Sequence, residues 1–148
     1  MDAYLVIGNP NTRKASLVRS LTGCFNRSVR DIQPLGDMPA LRLYARVGSL
    51  QDTRCAPEDF IAEAARARCN AVLCCLAPGA DPDHAERYPD AAAYLAAFKA
   101  AGWRIRAIAV LGQNGGEVRS PHLRQFPQAP VAPINQTARA VRAHFGWE

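Results

Sequence analysis

None of the five cysteines, Cys24, Cys55, Cys69, Cys74 and Cys75, stands in a Cys-x-x-Cys pair, and no histidine lies at ligand spacing from any of them. That removes the common zinc and thiol-redox readings. Cys74 and Cys75 fall in an apolar run, where cysteine acts as a small hydrophobe, so we expect them in the core. Long hydrophobic stretches are missing too. Ala71 to Ala77 is far shorter than the ~20 residues that span a bilayer, so no membrane partner is expected. Met1-Asp2-Ala3-Tyr4 puts no positive segment ahead of an apolar one, which reads as no signal peptide and a cytoplasmic location. There is no Gly-x-Ser-x-Gly elbow, and His84, His122 and His144 are scattered, so no catalytic residue is assigned.

Acid is in deficit: 18 Lys and Arg against 13 Asp and Glu give a net charge of +5 and a pI near 9.2. A basic balance permits nucleic acid as a partner without requiring it. No zinc-finger, RNA-recognition or helix-turn-helix pattern accompanies the charge, so nucleic acid stays a secondary expectation. Asp81, Asp83, His84 and Glu86 cluster in one loop, but such Asp/Pro-rich stretches are usually turns and no metal is assigned. Trp103 and Trp147 are read as packing anchors.

The 148 residues have the size of one domain, 1–148, with 49% hydrophobic and 21% charged content. Tyr4 to Ile7 and Ala71 to Ala77 are continuous apolar runs, the pattern of strands buried on both faces, and Ile105 to Leu111 is read as a third buried strand. Leu41, Leu43 and Ala45 alternate with Arg42, Tyr44 and Arg46, which predicts a strand with one wetter face, and an edge strand is expected within Val29 to Leu35. Leu17, Val18 and Leu21 recur at helical spacing before Gly23, and Pro57 with Glu58 and Asp59 marks another helix start. Further helices are expected over Asp90–Ala101 and Gln136–Phe145. Gly112 to Pro130 reads as one long loop before a short strand at Val131-Ala132. Alternating strands and helices predict a three-layer α/β/α fold with a mostly parallel sheet, whose three apolar strands are buried neighbours.

In such a sheet ligands bind at the carboxyl ends of the strands, which directs attention to the loop after the first. It reads Gly8-Asn9-Pro10-Asn11-Thr12-Arg13-Lys14-Ala15-Ser16-Leu17. The phosphate-cradling pattern is Gly, any four, Gly, Lys, then Ser or Thr, between a strand and a helix. Gly8 and Lys14 stand at its spacing; Arg13 replaces the second glycine and Ala15 the hydroxyl.

Through Gly8-Asn9-Pro10-Asn11, Lys14 and the helix end Leu21-Thr22-Gly23, the chain resembles small P-loop GTPases of the translation-factor-related class. The resemblance implies a P-loop NTPase-like fold with a phosphate or anion site at Gly8, Asn11, Thr12, Arg13, Lys14 and Ser16. It also implies losses. Ala15 takes away the Mg²⁺ hydroxyl, and Ser16 comes one residue late. The place of the Asp-x-x-Gly motif holds Ala45-Arg46-Val47-Gly48, and that of the guanine-reading Asn-Lys-x-Asp holds Gly112-Gln113-Asn114-Gly115. The expectation is a pseudo-GTPase: a non-hydrolysing interaction or regulatory module with a protein partner, no obligate cofactor, and at most weak binding of GTP, ATP or phosphate. Two alternatives stand beside it, an atypical nucleotide-binding NTPase and a basic nucleic-acid-binding regulatory protein.

Overall fold

A computed structural model describes residues 1–23 and 29–147. Its order is β1 (Asp2–Gly8), α1 (Lys14–Thr22), β2 (Val29–Ile32), β3 (Leu41–Ser49), α2 (Pro57–Ala67), β4 (Ala71–Leu76), α3 (Ala91–Ala100), β5 (Arg104–Leu111), β6 (Leu123–Phe126) and α4 (Ile134–Phe145). The strands form one sheet in the order β2-β3-β4-β1-β5-β6, parallel except for the antiparallel edge strand β2. The three apolar runs therefore are neighbours, with β1 between β4 and β5. Among the described residues no helix is long and apolar enough to cross a membrane.

Period-two alternation along β1 divides the core. Tyr4 and Val6 pack with Leu17, Val18 and Leu21 of α1 and with Val141 and Phe145 of α4. Ala3, Leu5 and Ile7 face Phe60 of α2 and Tyr94, Leu95 and Phe98 of α3. The result is a sheet between two helical layers. Trp103 stacks on Phe98 with ring centroids 4.7 Å apart, and Trp147 meets Tyr4 edge-on at 4.9 Å, so both tryptophans are packing residues. Cys74 and Cys75 are fully buried, one on each side of the sheet, Cys55 is buried and Cys69 is half-buried; Cys24 lies outside the described residues.

Helix starts follow local chemistry. Pro57 occupies the first turn of α2, where a missing N–H costs nothing, and the Asp59 carboxylate accepts from the Ala56 amide at 3.3 Å. Asp90 caps α3 by accepting from the Ala93 amide at 2.9 Å. Gly23, at φ +67°, closes α1 in the left-handed conformation that spares glycine a side-chain clash. One expectation is overturned. Val131-Ala132 lie in a turn, and the last strand is β6, inside the stretch read as loop. Leu-Arg-Gln-Phe is too short and too polar to announce an edge strand; its pairing with Ile108–Leu111 supplies the order that its own sequence does not.

Candidate functional site: the loop between β1 and α1

α1 leaves β1 toward one face of the sheet and α3 leaves β4 toward the other, so the carboxyl edge opens between these adjacent strands. That divergence is where parallel α/β sheets place ligands. Residues 9–13 occupy it.

The loop is built from two left-handed residues. Asn11 has φ +67° and Arg13 φ +73°, and Arg13 immediately precedes the helix. Asparagine tolerates this region, whereas arginine is strained there by about 1–3 kcal/mol. Arg13 thus takes a left-handed conformation at the position where the phosphate-binding pattern has glycine, the residue that adopts it without strain. Its guanidinium turns away from the loop and donates to the Ala132 carbonyl at 2.6 Å.

Lys14 turns inward. Its ammonium donates to the carbonyls of Gly8 at 2.7 Å and Asn9 at 2.9 Å, and only 8% of the residue is exposed. The Thr12 hydroxyl donates to the same Asn9 carbonyl at 2.7 Å. An added Cβ on Gly8 would run into the Thr12 hydroxyl oxygen, so glycine is needed there for packing although its φ is ordinary. Burial pushes the Lys14 amine below its usual range, opposed by Cys75 and Asp52. Burial also pushes the Cys75 thiol up to about 12, so near neutral pH the thiol is uncharged and Asp52 is the charge that counts.

The sequence-derived site residues separate accordingly. Gly8, Thr12 and Lys14 come together inside the loop, Arg13 braces it from outside, and Asn11 and Ser16 are exposed. Ser16 lies on the solvent side of α1, away from the Lys14 ammonium. Neighbouring loops hold the assembly from two sides. Asn114, just beyond β5, donates to the Asn9 side-chain oxygen at 3.0 Å and accepts from the Gly116 amide at 3.0 Å.

Ala45, where the resemblance expects a carboxylate, lies inside β3 and is 3% exposed on the α1 side of the core. β4 separates β3 from β1, so this stretch is not adjacent to the loop strand. The carboxylate whose charge acts on Lys14 is instead Asp52, on the turn after β3, whose amide is held by the Ser49 hydroxyl at 3.2 Å. Sequence reasoning missed it, although Asp52 is the sole acidic residue between Leu41 and Pro57. It also missed Gln51. That buried amide donates to the carbonyls of Ala77 and Pro89 and accepts from the Ala77 amide, tying the β3 turn to the end of β4 and the start of α3.

A second polar group sits between β3 and α2. Glu63 accepts from both Arg46 (2.8 and 2.9 Å) and the Tyr44 hydroxyl (3.0 Å). Nearby, burial pushes the Cys55 thiol up to about 11, against a smaller opposing pull from Arg46, so it is held as a neutral thiol. In the acidic loop, Asp81 accepts from the amides of Asp83 and His84, an Asx turn, as the turn reading expects.

Compared with known proteins, the chain matches no family model, no curated protein and no solved structure.

Proposed function

We propose that this chain is a degenerate P-loop GTPase-like domain that does not turn over nucleotide. It acts as a cytoplasmic interaction or regulatory module toward a protein partner, with at most weak binding of GTP, ATP or phosphate at the β1–α1 loop. The observation that carries the reading is where Lys14 spends its charge. In a phosphate-cradling loop the lysine neutralises the ligand; here its ammonium is bonded to the loop's own Gly8 and Asn9 carbonyls. A ligand must break those bonds before it gains the lysine, and that competition weakens binding. Ala15 offers no metal oxygen, and the Ala45–Gly48 stretch is one strand away from the loop. The strand-loop-helix placement and the left-handed Arg13 support the kinship with phosphate-binding loops.

Asp52 favours one other reading, an atypical nucleotide-binding NTPase. A carboxylate on the β3 turn near a buried lysine has the chemistry to hold Mg²⁺ through water and so serve a bound triphosphate. Thermal shift with GTP, GDP and ATP, with and without Mg²⁺, separates the two, since a ligand raises apparent stability by mass action. Under the module reading the melting temperature barely moves. A Mg²⁺-dependent rise that disappears in Asp52→Asn would replace it with the NTPase reading.

A further inference from the structure

At the opposite, amino edge of the sheet is a cavity of about 290 Å³ lined by Tyr4, Arg104, Ile105, Arg106, His122 and Phe145. Its making can be followed from the backbone. β1 pairs Asp2 with Arg104 and Ala3 with Ile105, but Tyr4 with Ala107, so Arg106 is an extra residue in β5 with no partner across. Bulges of this kind re-aim a side chain, and they concentrate near functional sites. Arg106 joins Arg104 in the cavity wall. His122 arrives just before β6, where its backbone carbonyl accepts from the Ile108 amide at 3.0 Å and so fixes its position against β5. Tyr4 and Phe145, both nearly buried, form the apolar walls.

Charge in this cavity is left over. Among the described residues the side chains of Arg104 and His122 make no hydrogen bond or ion pair. Arg106 meets Asp2 only through Nε at 3.9 Å, too long for a tight charge-assisted hydrogen bond, and among the described residues its terminal nitrogens make no hydrogen bond. Among the described residues no carboxylate lines the cavity. The pocket beside α2 is different: its Arg46, Arg54 and Arg66 share the wall with Asp59 and Glu63. The C-terminal end of α4, which would repel an anion, is closed off. Gly146 and Trp147 donate their amides to the Arg142 carbonyl, and Gly146 also to that of Ala143.

We propose that this cavity binds a phosphate group, independently of the β1–α1 loop. Two guanidiniums and an imidazole approach from β5 and from the start of β6. A tetrahedral phosphate offers oxygens in three directions to meet them, whereas a carboxylate offers two in one plane. The volume is at the small end for ligand pockets, so it takes the phosphate and the first atoms attached to it rather than a whole cofactor. The phosphate belongs either to a small phosphate monoester or to the backbone of a single-stranded nucleic acid.

The test is an amide NMR titration of the whole chain with sodium phosphate, against sodium chloride at matched ionic strength. It is run on the wild type, Arg104→Gln, the Arg104→Gln/Arg106→Gln pair, and Lys14→Ala. Saturable shifts at Ile105 to Ala107 and at Leu123 are expected with phosphate only. Binding should weaken in Arg104→Gln, whose exposed side chain the fold does not need, and by roughly tenfold or more in the pair. Lys14→Ala should leave these shifts unchanged, which keeps this site separate from the loop. A nucleoside monophosphate and a short single-stranded oligonucleotide then identify the source. Tighter, steeply salt-dependent oligonucleotide binding assigns the phosphodiester, and tighter monophosphate binding assigns the small ligand. Shifts that chloride reproduces, or that survive the paired substitution, overturn the proposal.

Discussion

The Lys14 ammonium lies 2.7 Å from the carbonyl oxygen of Gly8, the two residues that frame the loop in sequence. The bond closes the loop on itself. It gives a buried cation its acceptors with no carboxylate in contact among the described residues, and burial still holds the amine below its ordinary range.

That depression has a pH signature. The folded-state pKa is below the 10.5 of the free side chain, so between the two values the unfolded chain binds the extra proton. Stability therefore rises with pH across that interval, and the penalty of the buried charge is full below it. Because other side chains of the unfolded chain, the tyrosines above all, titrate in the same pH range, the comparison is with Lys14→Met. Denaturant melts at intervals up to pH 10.5 should show the wild type gaining on the variant as pH rises. A difference that stays flat or falls would show that the amine is not desolvated.

Gly8→Ala should destabilise the fold by about 1–3 kcal/mol, the usual cost of forcing atoms into a packed site. The new methyl meets the Thr12 hydroxyl oxygen and comes within 3.2 Å of the Leu111 carbonyl. Adding Thr12→Ala removes the first contact and not the second, so partial recovery is expected. Urea melts of the two variants measure it; equal stability of Gly8→Ala and wild type would mean that the loop relaxes freely.

The central sheet was legible in the sequence because the runs at Tyr4 and Ala71 are apolar without interruption and the one at Ile105 is broken only by Arg106, short stretches of the kind that strands buried on both faces require. α1 was legible because Leu17, Val18, Leu21 and Gly23 state its stripe and its stop. β6 was not: Leu123 to Phe126 alternates weakly, and its order comes from pairing with β5. At the site, Gly8 and Lys14 could be read from spacing alone. Which way Lys14 and Arg13 would turn could not, because both directions depend on distant carbonyls, those of Gly8 and Asn9 for one and of Ala132 for the other. Asp52 escaped for a related reason. Reading by motif looked for a carboxylate at Ala45, whereas β3 runs on to Ser49 and delivers one on the following turn.

Glu63 ties β3 to α2 through Arg46 and Tyr44. Arg46 and Glu63 are about three-quarters shielded from solvent, with side-chain exposures of 27% and 24%, so screening weakens the pair less than at the surface. Glu63→Ala should cost about 1–3 kcal/mol by leaving a guanidinium and a phenol without their acceptor. A cycle with Arg46→Met should give a coupling of about 1 kcal/mol; a coupling near zero would mark the contact as incidental.

Thiol chemistry should be quiet. Burial holds Cys55 and Cys75 as protonated thiols with pKa values of about 11 and 12, and it raises Cys74 well above the ordinary range. Alkylation by iodoacetamide at pH 8, followed by mass spectrometry, should leave these three unmodified in the folded protein and modify them after denaturation. Fast labelling of Cys55 in the native state would mean that the turn around it opens.

The last prediction concerns the loop as an anion site. The start of α1 carries free amides and the positive end of a helix dipole, which attract phosphate with or without metal. Against this stand the Lys14 bonds to Gly8 and Asn9, the Thr12 hydroxyl inside the loop, and the braces at Asn114 and Ala132. A phosphate that draws Lys14 off its carbonyls takes the ammonium from the Gly8 carbonyl, while the Thr12 hydroxyl still serves that of Asn9, a loss of about 1–3 kcal/mol that the new charge pair must exceed. The balance predicts weak binding, in the millimolar range typical of a few kcal/mol of net affinity. Amides from Asn11 to Ser16 should shift on phosphate titration, and Lys14→Ala should abolish those shifts while the fold persists. Arg13→Gly separates the two forces at work. It relieves the left-handed strain at φ +73° and releases the Ala132 brace, so it should tighten phosphate binding if the braces hold the loop shut. If Arg13→Gly binds no better than wild type, the Lys14 bonds alone close the loop.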